Sequence, residues 1–131
     1  MASENQSVTV SKKALWAGRI LSALPVLALL ASGVIKFAKP PAVVEEFAHL
    51  GYPLSLAVPL GIAEIACTIV YIVPRTAALG AILLTGYLGG AISTHVRIGE
   101  PFILPLILGV LVWGGLVLRD PRLRLVLPLR R

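Results

Sequence analysis

Glu64 has the clearest chemical potential in this chain because it interrupts an apolar run. The run covers residues 54–73 and is closed by Pro53 and Pro74. About 20 residues of helix span roughly 30 Å, the thickness of a bilayer's hydrocarbon core. The sequence therefore places Glu64 near the middle of a membrane, where a charge costs on the order of 2.5–3.5 kcal/mol. A carboxyl group there indicates either a buried partner or a role with a proton, ligand or substrate.

Three polar side chains follow Glu64 at helical spacing. Cys67, Thr68 and Tyr71 lie at i+3, i+4 and i+7 from it. Residues at these spacings share one face of a helix, and a polar face inside a membrane is expected to point into a bundle. Cys67 and Tyr71 are therefore site candidates beside Glu64, although a buried cysteine is also a common small packing residue.

The next apolar segment supplies Tyr87 and His95. Pro74 and Arg75 join the two segments, and so short a connection predicts an antiparallel hairpin in which Tyr87 returns to the depth of Glu64. The sequence predicts that Tyr87 meets Glu64, and that desolvation keeps Glu64 uncharged at neutral pH. His95 lies near the membrane boundary; histidine titrates near neutral pH, but an ordinary interfacial role fits equally well.

A structural role for Glu64 is the alternative, with a protonated carboxyl group that holds the bundle together through hydrogen bonds. No catalytic residue is identified from the sequence. Two histidines and one carboxylate from different segments are a thin ligand set, so no metal site is predicted. The single cysteine excludes an intrachain disulfide and a two-cysteine redox pair.

Composition makes the bilayer the expected partner of the whole chain. Of the 131 residues, 57% are hydrophobic and 14% are charged, and a small soluble domain could not hide that much apolar surface. The net charge is +6, but the basic residues flank apolar runs and few aromatic residues lie among them. This pattern is typical of contact with lipid headgroups and excludes a nucleic-acid-binding face.

The predicted fold class is all-α, a bundle of four transmembrane helices with a short amphipathic interfacial helix at 42–50 between the first two. The third span is predicted to have a small-residue face that lets another helix approach closely, formed by glycines 86, 89 and 90 with Ser93. The four predicted spans cover residues 14–37, 54–73, 76–94 and 102–118. We expect a disordered cytoplasmic segment at 1–13, a transmembrane domain at 14–118 and a basic interfacial tail at 119–131.

Basic residues predict the orientation. Four spans place both termini on one side, where the termini and the second loop carry eight lysines and arginines against three on the other side. Lysine and arginine are enriched in cytoplasmic loops. The sequence therefore predicts a multi-pass protein of the inner membrane with both termini in the cytoplasm.

Several separated segments together resemble the DoxX-like family of small four-helix bacterial membrane proteins, over nearly the whole chain. These segments are GxxK at 33–36, FAHLGYP at 47–53, PR at 74–75, GYLGGA at 86–91, HxR at 95–97 and RDPRLR at 119–124. The resemblance implies a four-helix bundle with Glu64 and His95 at family motif positions.

The resemblance also implies a function. Relatives include a subunit of a thiosulfate:quinone oxidoreductase and a partner in a membrane oxidoreductase complex, so we expect a redox-associated subunit that contacts a quinone or a partner enzyme through the cleft between the second and third spans. The alternatives are a non-catalytic binding or assembly protein for a lipophilic ligand or a membrane protein, a second copy of the chain included, and an isomerase that uses Glu64 as acid and base. Whether the chain is an enzyme stays open.

Overall fold

Five α-helices account for most of the chain in the computed structural model, which describes residues 11–123. No strand occurs in that range. The helices are α1 (Lys12–Ala38), α2 (Pro41–Leu50), α3 (Ala57–Ile72), α4 (Ala77–Arg97) and α5 (Ile103–Arg119), and single 3₁₀ turns at Leu54–Leu56 and Pro74–Thr76 lead into α3 and α4. The predicted all-α class is confirmed, and the predicted helix limits lie within about three residues of those observed.

The ends of the first two helices follow from local chemistry. The Ser11 hydroxyl caps α1 by accepting a hydrogen bond from the amide of Ala14 at 3.1 Å. α1 ends at Lys39, whose φ of 51° is left-handed. α2 begins with Pro41 in its first turn, where no amide is needed, and ends at Gly51 with a φ of 80°.

Length and apolarity suit four helices to a membrane. Three stretches are long and apolar enough to cross one, namely Lys12–Ala38, Leu54–Ile72 and Pro74–Arg97. α5 is also apolar but shorter, with 17 residues, which is about 25 Å of helix and the lower end of the spanning range. Large apolar side chains such as Leu27, Ile82 and Leu104 face outward, as expected where lipid is the solvent.

The four long helices form a ring in which α1 and α4 each pack against both α3 and α5. Neighbouring helices are antiparallel. Ser22, early in α1, contacts Tyr71, late in α3, while Gly33, late in α1, lies against Gly61, early in α3. The interior between them is mostly apolar, and it includes Leu29, Leu84, Val112 and Leu116.

Glycines set how closely the helices approach. A Cβ added at Gly18 would lie 2.7 Å from the carbonyl oxygen of Gly115, and one added at Gly61 would lie 2.8 Å from that of Gly33. A Cβ at Gly80 would collide with the backbone of Tyr71. These three contacts tie α1 to α5, α1 to α3, and α3 to α4.

The predicted small-residue face on α4 does not pack against another helix within residues 11–123, so this prediction is wrong for the described chain. A Cβ added at Gly86, Gly89 or Gly90 meets nothing within 4 Å, and Ser93 is exposed. The physical reason is the direction of these residues: α4 turns Gly80, Leu84 and Leu88 inward, so the other glycines lie on its outer side.

The predicted amphipathic helix is confirmed as α2, with Phe47 buried and both Glu45 and Glu46 exposed. Its position on a membrane surface stays a prediction. The expected disordered segment and basic tail fall largely on residues 1–10 and 124–131, which lie outside the described residues.

Candidate functional site

Glu64 is buried at the centre of a polar cluster drawn from three helices. Its carboxyl oxygen Oε1 accepts a hydrogen bond from the Tyr87 hydroxyl of α4 at 2.9 Å and lies 2.8 Å from the Lys36 Nζ of α1. The residue is 1% exposed. The predicted contact between Glu64 and Tyr87 is therefore confirmed, while Lys36 is a partner that the sequence did not reveal.

The crossing of α1 and α3 explains how Lys36 reaches Glu64. Gly33 lies against Gly61 where the helices cross, and Lys36 and Glu64 each follow one of these glycines by three residues. Because the helices are antiparallel, the two Cα atoms move apart along the axis by about 4.5 Å each. Helical side chains lean toward the N-terminus of their own helix, so these two long side chains lean toward each other and close the gap.

Lys36 has an acceptor for each of its three ammonium donors. Besides Glu64, Nζ donates to Ser32 Oγ at 2.8 Å and to the Ser32 carbonyl oxygen at 3.3 Å, one turn back on α1. The side chain of Lys36 is 15% exposed and that of Glu64 2%. The pair is therefore well oriented and largely withdrawn from solvent.

The Lys36 ammonium group weakens the physical reason for predicting an uncharged Glu64. That prediction considered desolvation alone, which penalises a lone carboxylate. An ammonium at 2.8 Å compensates a negative charge on Glu64, and Tyr87 adds a donor to the same oxygen. The neutral state of Glu64 stays a prediction that experiment must decide.

The polar stripe on α3 faces the bundle interior, as predicted, at Glu64, Thr68 and Tyr71, which are all fully buried. Thr68 Oγ1 donates back to the Glu64 carbonyl oxygen at 2.7 Å. Cys67 is half-buried and packs beside the core.

Tyr71 belongs to a different contact group from Glu64. Its hydroxyl donates to the Val112 carbonyl oxygen of α5 at 2.6 Å and accepts from Ser22 Oγ of α1 at 3.0 Å. The Arg119 guanidinium lies over its ring, 4.8 Å from the centroid. Tyr71 thus links three helices at the end of the bundle that carries the start of α1.

His95 is not part of the Glu64 cluster. Its Nδ1–H donates to the Ala91 carbonyl oxygen of its own helix at 2.7 Å. His49 pairs instead with Glu100, in the turn between α4 and α5. Within residues 11–123 no group of three or more histidines, cysteines or acidic residues could hold a metal ion.

A long apolar groove of about 880 Å³ lies between α4 and α5. Its wall includes Leu88, the neighbour of Tyr87, and Trp113, whose Nε1 donates to Thr85 Oγ1 at 2.6 Å. The sequence expectation was a cleft between α3 and α4, so the groove opens on the other side of α4. Its volume falls in the range of small-molecule sites, about 300–1,000 Å³.

The family profile of the DoxX-like family matches residues 20–115. The chain belongs to the DoxX-like family. The match begins in α1, ends in α5 and includes Lys36, Glu64, Tyr87 and His95. Among curated proteins and among solved structures the chain has no significant match. This DoxX-like chain is a small membrane protein, and its polar cluster at Glu64 lies inside the matched region.

Proposed function

We propose that this DoxX-like protein binds a quinone, or a lipophilic carbonyl compound like one, and acts as a membrane subunit associated with a redox partner. The observation that carries the proposal is the buried cluster of Lys36, Glu64 and Tyr87. A charged group inside a membrane is costly, and such groups usually mark a ligand site or a proton path.

The donor set fits a carbonyl oxygen. Lys36 and Tyr87 direct two donors at one oxygen atom of Glu64, and a ligand carbonyl that displaces this oxygen can accept from the same two groups. A quinone held there by Lys36 and Tyr87 would supply two-electron, two-proton redox chemistry to the site. Glu64 holds a proton or a negative charge at the site, and Lys36 and Tyr87 orient the ligand's oxygen.

The apolar surroundings fit the rest of such a ligand. The groove between α4 and α5 exposes almost only apolar surface and shares its wall with α4 beside Tyr87. A ring or isoprenoid tail can lie against this surface, although the groove lining does not include Lys36, Glu64 or Tyr87. Pockets that combine apolar walls with a few oriented polar groups are typical of small-molecule sites.

The second candidate is a non-catalytic assembly protein, and the saturation of Lys36 favours it. All three ammonium donors already have acceptors within the chain, as expected of a polar staple that joins α1, α3 and α4. In that case the partner is a membrane protein or a second copy of the chain.

Identification of the molecule that copurifies with the protein separates the two candidates. We expect mass spectrometry of a solvent extract from detergent-purified protein to find a quinone at near-stoichiometric amount. In Tyr87→Phe, which removes one donor and keeps the ring, quinone affinity should fall roughly fivefold, as for a lost neutral hydrogen bond worth about 1 kcal/mol. Glu45→Gln on the exposed face of α2 is the matched control. A stoichiometric protein partner without quinone, or unchanged quinone affinity in Tyr87→Phe, would favour the assembly role.

A further inference from the structure

A second polar pocket lies at the end of the bundle far from α2. It is bounded by the first turns of α1, the turn between α3 and α4, and the end of α5, and it has a volume of about 280 Å³. Its charged lining consists of Arg19, Arg119, Asp120 and Arg122. None of these residues takes part in the Glu64 cluster, so the pocket is independent of the function proposed above.

Arg119 lines this pocket and has one unsatisfied donor. Its Nε is buried and has no hydrogen-bond partner among the described residues. One other guanidinium nitrogen, Nη2, reaches the Tyr71 carbonyl oxygen at 3.5 Å. A buried donor without an acceptor is destabilising and rare in native structures, so Arg119 keeps hydrogen-bonding capacity that no residue within 11–123 uses.

The charges of the lining are unbalanced in favour of an anion. Asp120 is already engaged by Arg122, whose backbone amide lies 3.1 Å and whose Nε lies 3.4 Å from Oδ1. Arg19 stacks against the Trp16 ring at 5.2 Å and, like Arg119, makes no ion pair within residues 11–123. Two guanidinium groups therefore face the pocket without a carboxylate of their own.

We infer that this pocket binds a phosphate group, in the first place the headgroup phosphate of an anionic lipid. The planar guanidinium presents paired donors that match phosphate oxygens. Basic pockets between the ends of transmembrane helices bind such headgroups. The volume, about 280 Å³, lies near the lower limit for small-ligand sites and suits a headgroup rather than acyl chains. Inorganic phosphate has the same chemistry, so the test compares both sources.

Native mass spectrometry of the full chain in a neutral detergent tests the pocket directly. The protein is titrated with short-chain phosphatidylglycerol, with phosphatidylcholine and with inorganic phosphate. We expect phosphatidylglycerol to bind at one site, roughly fivefold more tightly than phosphatidylcholine, because the choline cation offsets the attraction of its phosphate to the arginines. Resistance of that complex to millimolar inorganic phosphate identifies the lipid as the source, and displacement by it identifies free phosphate. If neither phosphatidylglycerol nor inorganic phosphate binds more tightly than phosphatidylcholine, the inference is overturned.

Three arginine variants show whether the pocket or the general positive charge binds the anion. Arg119→Gln and Arg19→Gln should each weaken binding roughly tenfold. Because Arg119 packs on Tyr71, the exposed Arg19 supplies a variant that leaves the core untouched. Arg75→Gln is the matched control, since Arg75 is exposed at the same end but outside the lining. If Arg75→Gln weakens binding as much as the other two variants, the anion is held by general charge attraction and the inferred site is contradicted.

Discussion

The contact between Lys36 and Glu64 places an ammonium and a carboxyl group side by side in the membrane core. Removing two charges from water is costly, and their attraction offsets that cost only when geometry is good and the remaining donors are satisfied. Here the separation is 2.8 Å and both Ser32 and Tyr87 complete the hydrogen bonding. Loss of one partner leaves a buried charge without compensation, which is worse than loss of both.

Single and double substitutions of this pair should therefore be strongly non-additive. Lys36→Met and Glu64→Gln are each expected to lower the free energy of unfolding by about 3 kcal/mol, the lower end for a buried pair. The double variant should lose less than the sum of the two. Denaturant titration in detergent measures all three, with Lys39→Met, an exposed lysine three residues on, as control. Additive losses would show that the pair is not coupled.

Glu64→Gln also distinguishes a structural from a functional carboxyl group. Glutamine keeps the size of the side chain and can still accept from Tyr87, so a purely structural Glu64 predicts a folded protein with full ligand binding and normal cellular function. A folded Glu64→Gln protein that has lost quinone binding is the outcome we expect. Circular dichroism establishes the fold, and the copurification assay described above establishes binding.

The sequence predicts two of the three residues of this cluster, Glu64 and Tyr87. The hairpin of α3 and α4 is fixed by one short turn, so depth alone brought Tyr87 to Glu64. Lys36 belongs to α1, which α2 separates from α3 in the sequence. Its position depends on where α1 and α3 cross, at Gly33 and Gly61. That crossing is a tertiary contact which no local pattern encodes, so the sequence alone gives Lys36 no buried partner.

At the scale of the helices, glycines divide into two groups that look alike in sequence. Gly80 supports a close contact between α4 and α3, whereas Gly86 points away from every neighbour in the described chain. Small-residue spacing predicts that a helix can be approached, but not from which side. The side is decided by which face carries Leu84 and Leu88 into the core.

Alanine substitutions at these two glycines should have opposite effects. Gly80→Ala forces a Cβ against the backbone of Tyr71, and overpacking of this kind costs about 1–3 kcal/mol or more. Gly86→Ala meets open space and should stabilise α4 by about 0.5–1 kcal/mol through lower backbone entropy. Thermal unfolding in detergent measures both. Destabilisation by Gly86→Ala would indicate that its face is occupied, by a second copy of the chain or by a partner.

α2 is held to the bundle by polar contacts at the end opposite the arginine pocket. Arg97 of α4 donates to the Leu50 carbonyl oxygen at the end of α2, and the Tyr52 hydroxyl pairs with Thr94 Oγ1 at 2.6 Å. Arg97→Gln should free the end of α2, with amide hydrogen exchange in α2 roughly fivefold faster for a bond worth about 1 kcal/mol. Lys39→Gln is the control at the other end of α2. Equal exchange in both variants would show that Arg97 does not hold α2.

Positive charge is distributed unequally between the two ends of the molecule, and the packing of the helices brings the basic residues of one end together. One end combines Lys12, Arg75, Arg119 and Arg122, and antiparallel packing places them together, since Gly18 contacts Arg119. At the other end Lys39 and Arg97 make no ion pair within residues 11–123, whereas Lys36 is engaged by Glu64.

This asymmetry predicts that both termini lie in the cytoplasm, since lysine and arginine in short loops are retained on that side of the membrane. A green fluorescent protein fused to either terminus should fluoresce, because it folds in the cytoplasm, and alkaline phosphatase at the same positions should be inactive. Phosphatase inserted after Gly99, in the exposed turn between α4 and α5, is the matched control and should be active. Since the four spanning helices alternate in direction, an active phosphatase at one terminus alone would contradict the four-span bundle, and activity at both would reverse its orientation. The reversed orientation would also place the arginine pocket in the outer leaflet.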